Sequence, residues 1–407
     1  MDFTKSFLSI LLFLICILIL QQYCNAKQID VFFQEFVQKT FSTSSQYNLF
    51  VNDITLCPSL KPRTSPPANV HDLRPDDIKV IMALGDSITA GFQVDATCDE
   101  NNNTANKLYE YRGLSYAMGG DTGAVSVANF LKYYSPELKG ASLGYHHIEV
   151  CFGVLCPPKQ YKPELDQMNA AQSGAMAKNL DHEVEYLLQQ IQKEPEEIRN
   201  SWKTEQHTLF QFLNVFIGPN DLCFQCISII PKEEKTFEDY VYDALEKIRA
   251  NVPNVIVNII GNFNVSQIYK ITRGQTEYCK KLGVLPNLEC ECAFFDGPEG
   301  DKKRQRMDEI AHENNAAINR IVQHYADHPN DNFAVVFQPF DLDLMSFPID
   351  ALSCADCFHP GLKLHQFSAK FLWNNFIIPS KSRHVTIKWD ASKKIRCWND
   401  DDRIATF

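Results

Sequence analysis

Four short runs of almost uninterrupted apolar residues, Ile78 to Leu84, Leu209 to Ile217, Val255 to Ile260 and Phe333 to Phe340, constrain this 407-residue chain more than any other feature. Each is rich in β-branched or aromatic side chains and lacks polar alternation, so each reads as a strand buried on both faces, as in a parallel sheet. Segments with helical spacing lie between them, at Leu180 to Ile191, Phe237 to Ala250 and Arg304 to Tyr325, and another, Leu362 to Phe376, follows the fourth run. Parallel strands need crossover connections rather than hairpins, and helices supply them. The alternation therefore predicts a doubly wound α/β domain.

The N-terminus carries an independent signal. Lys5 precedes the apolar run Phe7 to Leu20, followed by polar Gln21-Gln22-Tyr23 and the small-residue site Cys24-Asn25-Ala26, the pattern of a secretory signal peptide. That run is short for a membrane span, which takes about 20 residues, although an uncleaved anchor is the alternative. No later segment is long and apolar enough to span a bilayer, so the mature chain is expected to start near Lys27 without a membrane anchor.

Secretion decides how the cysteines are read. Cys16 and Cys24 leave with the signal, and twelve remain, at 57, 98, 151, 156, 223, 226, 279, 290, 292, 354, 357 and 397. An even number in an oxidising compartment predicts disulfides, one of them from Cys57 tying down an N-terminal strap. Asn102 before Thr104 and Asn264 before Ser266 are glycosylation acceptors in the same setting. The expected destination is extracellular, with a lysosome-like vacuole as the other possibility. A net charge of −11 argues against a nucleic-acid partner and against docking on anionic membranes by charge alone.

Chemistry gathers where these elements end. The first strand runs into Gly85-Asp86-Ser87-Ile88-Thr89-Ala90-Gly91, which puts Ser87 at the carboxyl end of a parallel strand, where α/β sheets carry their functional crevice. By itself Ser87 is equally a helix cap. The second strand ends in Ile217-Gly218-Pro219-Asn220-Asp221, where the Asn220 amide can donate toward the same point or simply make a turn. Between them, Asn169-Ala170-Ala171-Gln172-Ser173-Gly174-Ala175 precedes the helix at 180, and Gly174 there offers a close-approaching N–H from a helix N-terminus. Ahead of the last helix stands Asp356-Cys357-Phe358-His359-Pro360-Gly361, whose three-residue step lets Asp356 hold one imidazole nitrogen of His359 and leaves the other for Ser87.

Together and in this order, Ser87, Gly174, Asn220 and His359 resemble the four name-giving positions of the SGNH, or GDSL, hydrolases, with Asp356 completing a triad. The stretch Tyr111 to Asp121, with Asp356-Cys357-Phe358-His359 and Phe371-Leu372-Trp373-Asn374-Asn375, is similar to the phospholipase B branch. The resemblance implies a flavodoxin-like three-layer α/β/α sandwich with a mostly parallel sheet, acyl transfer to Ser87, and an oxyanion hole from the Ser87 and Gly174 N–H groups plus the Asn220 amide. It implies no metal or other cofactor. The expected substrate is a phospholipid or lysophospholipid acyl ester, with transient contact at a lipid surface; esters of acetylated carbohydrate or small lipids are the alternative. A secreted binding protein with a degenerate site is the rival outside enzymes, and no triad or oxyanion residue is missing. The expected division is a signal peptide at 1–26, a strap at 27–75, the hydrolase domain at 76–380 and a tail at 381–407 packed on or near it.

Other clusters take plainer readings. Cys223-x-x-Cys226 and Cys354-x-x-Cys357 could form zinc knuckles, but in this compartment they are expected to be disulfides bracing the loops around Asn220 and His359. Arg112 is expected in a structural salt bridge rather than on a lipid phosphate. His146-His147 is read as surface, Lys302-Lys303-Arg304 as the solvated start of a helix, and Asn399 to Asp402 as a solvated tail.

Overall fold

The computed structural model describes residues 49–97, 108–193, 209–224, 235–275, 277–279, 290–383 and 386–407. The signal segment, Cys98, Asn102 and Cys226 lie outside them. Residues 50–407 form one compact unit. The four apolar runs become β1 (Ile78–Gly85), β2 (Phe210–Phe216), β3 (Val255–Ile260) and β4 (Phe333–Gln338), all parallel and hydrogen-bonded in that order. Nearly every strand residue is buried, which is why the runs lack alternation.

Helices cover the sheet as an α/β/α sandwich. The helix α1 (Ser87–Ala90) follows β1 directly; α2 (Val127–Tyr134), α3 (Leu180–Lys193), α4 (Pro219–Phe224), α5 (Phe237–Asn251), α6 (Gly297–Asp327) and α7 (Leu362–Asn375) come after it in the chain. Thr236 caps α5 with a reciprocal capping box to Asp239, satisfying N–H groups that the first turn leaves open. Helices α3, α5 and α6 pack in a row, while α2 and α7 pack against each other.

Some sequence readings need correction. Helix α6 starts at Gly297, seven residues ahead of the expected Arg304, because Pro298 is accommodated in the first helical turn, where its missing N–H costs nothing. Arg304 is not solvated: it is buried and donates to Ala293 O and Phe295 O at 3.2 and 2.6 Å. The tail is not simply solvated either. Trp398 and Ile404 are buried, Trp398 packs on Trp373, and Asp402 pairs with Arg396 at 2.8 Å.

The other edge of β1 is closed by pieces that no apolar run announces. Lys139 and Asn169 bridge Val80 and Ala83 in parallel, and Ile81 and Ala83 donate to Lys139 O and Met168 O, each at 3.0 Å. The segment toward Gly174 is therefore laid alongside β1 as extended chain. At the opposite end of the sequence, Phe50–Val51 pairs antiparallel with Ile395–Arg396, and the Cys57–Cys397 disulfide joins the same regions.

A cross-link between residues 340 apart restricts the unfolded chain strongly. Replacing Cys57 and Cys397 by Ser should lower stability by about 2–5 kcal/mol in urea unfolding, with Ser87 still labelled by a serine-reactive phosphonate at 25 °C.

Candidate active site

The turn that carries Ser87 is built by exclusion of side chains and by one buried carboxylate. Gly85 has φ +158°, and a Cβ there would lie 2.6 Å from Phe216 O and 2.7 Å from the Thr89 hydroxyl, so the chain turns this tightly only with glycine. Glu183, fully buried on α3, accepts the Gly85 N–H at 2.8 Å. Burial holds the Glu183 carboxyl well above its ordinary pKa. Glu183 carries no obvious motif, but it lies on the stripe of Leu180, Val184 and Leu187, a helical face on which a carboxyl is out of place unless it is used.

Asp86 caps α1, its Oδ1 accepting the Ile88 N–H at 2.9 Å, while Oδ2 is buried without a hydrogen-bond partner among the described residues. Desolvation raises its pKa to about 7, against the smaller opposing effects of that hydrogen bond and of His359.

Ser87, His359 and Asp356 are brought into direct contact. The Ser87 Oγ lies 2.8 Å from His359 Nε2, and His359 Nδ1 lies 2.5 Å from Asp356 Oδ2. Asp356 Oδ1 also accepts the N–H groups of Phe358 and His359, at 2.9 and 3.1 Å, so the carboxylate is fixed from three sides. An ionised acceptor at Nδ1 sets the tautomer with hydrogen on that atom and leaves Nε2 to accept from the serine hydroxyl. All three residues are buried. The edge of Phe92 meets the His359 ring at 4.8 Å between centroids, and Cys357 is tied to Cys279 by a disulfide. Cys223 is likewise tied to Cys290, so these two cysteines bond outside their own C-x-x-C pairs, as loop braces rather than zinc ligands; Cys292 and Cys354 are disulfide-bonded too.

Gly174, in a turn, and Asn220, in the first turn of α4, are stitched to the same region. Gln172 donates to Gly85 O at 3.2 Å, the Asn220 amide donates to Ala175 O at 3.0 Å, and Asp221 accepts from the Ala177 N–H at 3.1 Å. The expected helix N-terminus at Gly174 is corrected: helical backbone begins only at Ala177, and Gly174, with φ +86°, makes a turn at the end of the extended segment that runs beside β1.

That segment rests on a buried charged cluster. Arg112, wholly buried, donates to Asn169 O at 3.1 Å and Ala171 O at 2.9 Å, and its guanidinium pairs with Glu110 at 2.7 Å and Asp166 at 3.0 Å. Glu110 accepts the Ser173 hydroxyl at 2.6 Å, one residue before Gly174. The structural salt bridge expected for Arg112 is thus present, but the surface reading of His146 is wrong. His146 is buried with Nε2 2.7 Å from Asp166, because the turn at 163–166 folds over it; His147 alone of the pair is exposed. Burial is the largest single effect and disfavours the His146 imidazolium, yet the Asp166 hydrogen bond, the His147 carbonyl and the Asp166 charge together outweigh it and raise the pKa. Ligand atoms of His146, Glu149 and Asp166 lie within 4.8 Å of one another, but Arg112 stands 3.0 Å from Asp166 and 3.5 Å from Glu149 and takes the place a cation would fill.

A serine on a strand-end turn, hydrogen-bonded to a His–Asp pair, is an arrangement suited to acyl transfer. Residues 81–372 match the GDSL-like Lipase/Acylhydrolase family, and the chain belongs to it. Among curated proteins it is similar to membrane-associated phospholipase B1 of Rattus norvegicus, with 30% identity over 81% of this chain and 22% of the relative, and of Mus musculus, with 27% over 90% and 24%. The chain thus spans about a quarter or less of the length of these relatives. An extracellular lipase from Streptomyces rimosus superposes over 72% of this chain and 99% of its own at 13% identity, with a TM-score of 0.30, too loose to bear on the site.

The Asp86 shift has a definite sign. The folded state keeps a proton that the unfolded chain releases above its ordinary value of 3.8, so the contribution is present at low pH and is lost as pH rises toward 7. Asp86→Asn keeps a good cap without the ionisation. In urea unfolding, its stability relative to wild type should therefore climb between pH 4 and 7, by on the order of 4 kcal/mol, and level off above. A pH-independent difference would show that Asp86 is ionised throughout.

Proposed function

We propose that this chain is a secreted phospholipase B-type enzyme that removes fatty acids from phospholipids and lysophospholipids through an acyl-enzyme on Ser87. The observation that carries this is the contact of Ser87 Oγ with His359 Nε2 at 2.8 Å, backed by Asp356. Similarity to phospholipase B1 supports the substrate class. The disulfides support an oxidising destination. Among the described residues no helix is long and apolar enough to cross a membrane. In this reading residues 1–26 are the leader, 27–75 a strap, 76–380 the hydrolase domain and 381–407 a tail.

In the first half-reaction Ser87 Oγ attacks the ester carbonyl carbon while its proton passes to His359 Nε2. The carbonyl π electrons move to oxygen, and the resulting oxyanion is met by the Ser87 and Gly174 N–H groups and the Asn220 amide. Asp356 stabilises the imidazolium without taking the proton. Collapse of the tetrahedral species breaks the bond to the glycerol oxygen, which takes the proton from Nε2 and leaves as the alcohol. Water then repeats the sequence on the acyl-enzyme: His359 takes its proton, hydroxide adds, and the proton returns to Ser87 Oγ as the fatty acid departs.

Ser87→Ala and His359→Ala should each abolish nearly all release of fatty acid from phosphatidylcholine, and Asn220→Ala should lower kcat about 10²–10³-fold. Full activity in Asn220→Ala would take that residue out of the site. Because protein N–H groups meet the oxyanion in this mechanism, hydrolysis should persist in excess EDTA and stop on phosphonylation of Ser87. Robust esterase activity with no fatty acid from phosphatidylcholine would move the substrate to acetylated carbohydrate or small lipid esters.

A further inference from the structure

Residues 151–156 form a small hairpin whose two ends, Cys151 and Cys156, are joined by a disulfide. Phe152 and Leu155 exchange both backbone hydrogen bonds, at 2.8 and 2.9 Å, which leaves Gly153 and Val154 as the two residues of the turn. Gly153, with φ +57°, supplies the left-handed backbone that the first position of such a turn requires. Val154 is then the tip, a place where hairpins ordinarily carry asparagine, aspartate or glycine. It is 92% exposed, Leu155 beside it is 68% exposed, and Val150 at the base is exposed as well. A single exposed apolar residue needs no explanation, but neighbouring ones gathered on one hairpin do.

The base of this hairpin is fixed to the two segments that carry the donors proposed for the oxyanion. Cys151 donates to Ser173 O at 3.0 Å, one residue before Gly174, and a Cβ on Gly174 would lie 3.4 Å from the Phe152 side chain. Gly153 donates to Asn179 Oδ1 at 3.0 Å and accepts from Asn179 Nδ2 at 2.7 Å. The Phe152 ring meets Phe224 edge-on, at 5.3 Å between centroids, and Phe224 ends the short helix α4 that begins beside Asn220. The hairpin is thus anchored next to the site, with its apolar tip left in solvent.

Charge narrows what would cover that tip. Between Glu149, which is buried, and Glu164 the chain has no carboxylate, and it carries the exposed Lys159, in a protein of net charge −11. Lys178 lies over the Phe224 ring at 5.3 Å to the centroid. An apolar tip with lysines near its base and no carboxylate in its own stretch matches the boundary of a phospholipid layer, where phosphates overlie hydrocarbon. The substrate proposed above resides in such layers.

Resting on the phospholipid reading above, we propose that the hairpin 151–156 docks this enzyme on a phospholipid surface, Val154 and Leu155 entering the acyl layer while Lys159 and Lys178 stay among the phosphates. The hairpin brings the surface to Ser87 and takes no part in the bond-making steps.

The binding test uses the mature chain with Ser87→Ala, so that phosphatidylcholine vesicles are not consumed, and reads partition by co-flotation. Val154→Ser with Leu155→Ser should weaken partition by on the order of tenfold or more. Val154→Trp should keep it and show a blue shift of tryptophan emission when vesicles are added. With Ser87 in place, the double serine variant should release fatty acid from the vesicles more slowly by a similar factor, while hydrolysis of soluble p-nitrophenyl acetate stays unchanged. Unaltered partition in the double variant, no emission shift, or no partition of the Ser87→Ala chain overturns the proposal. So does light scattering that finds a dimer which the double substitution converts to monomer, since a second copy would then cover the tip. Failure of the phospholipid reading looks different: partition depends on Val154 and Leu155 as expected, and no fatty acid is released from phosphatidylcholine.

Discussion

Hydrogen bonding along both edges of β1 is the constraint on which the site depends. On one edge β1 pairs with β2 over its whole length, and on the other it holds Lys139 and the extended chain from Met168. A strand saturated on both sides cannot shift its register without breaking both ladders, so its carboxyl end is a fixed point. Ser87, Gly174 and Asn220 each belong to one of the three chains that meet there. The neighbouring positions of the serine and its flanking donors are thus consequences of strand pairing before any side chain is considered.

The His359 side of the site is held differently. It arrives on a loop between β4 and α7, and its position is set by short-range bonds: Asp356 to three groups within its own turn, Ser353 N–H to His359 O at 2.8 Å, and the Cys279–Cys357 disulfide. Cys357 has φ +54°, a left-handed conformation uncommon outside glycine and asparagine, and it lies inside the turn that faces Asp356 toward His359. A rigid sheet end thus meets a braced loop, and acyl transfer tolerates little misplacement between the two.

Buried charge supports this arrangement at a cost in desolvation. Arg112, Glu110, Glu149 and Asp166 are all essentially without solvent exposure, and such groups persist only when their hydrogen-bonding capacity is met. Arg112 and Glu110 meet much of the requirement by gripping the carbonyls of Asn169 and Ala171 and the Ser173 hydroxyl, while among the described residues Glu149 Oε2 has only the Arg112 charge at 3.5 Å. The cluster acts through the segment it holds, next to Gly174. Removing one partner would leave the others charged and unpaired, so the group behaves as a unit and its members' contributions will not add.

What the sequence determined by itself was the set of strands, the order of helices, and the chemistry waiting at strand ends. Continuous β-branched runs admit only buried parallel strands, and β3 is found at the limits read from Val255 and Ile260. Ser87 after Gly85-Asp86 and the Asp356–His359 step were legible because the roles proposed for them need particular residue types at particular spacings. Tertiary structure decided what spacing cannot encode. The Lys139 and Asn169 pairing to β1 has no apolar run of its own, since its identity as a sheet edge comes from the neighbour. His146 looked like surface because the partners that bury it, Asp166, Glu110 and Arg112, lie elsewhere in the chain. The turn of His365 toward Tyr116 exists only once residues 249 positions apart are packed together. A sequence records which groups are present; whether each is solvated, paired or left facing a cavity is settled by what the folded chain lays against it.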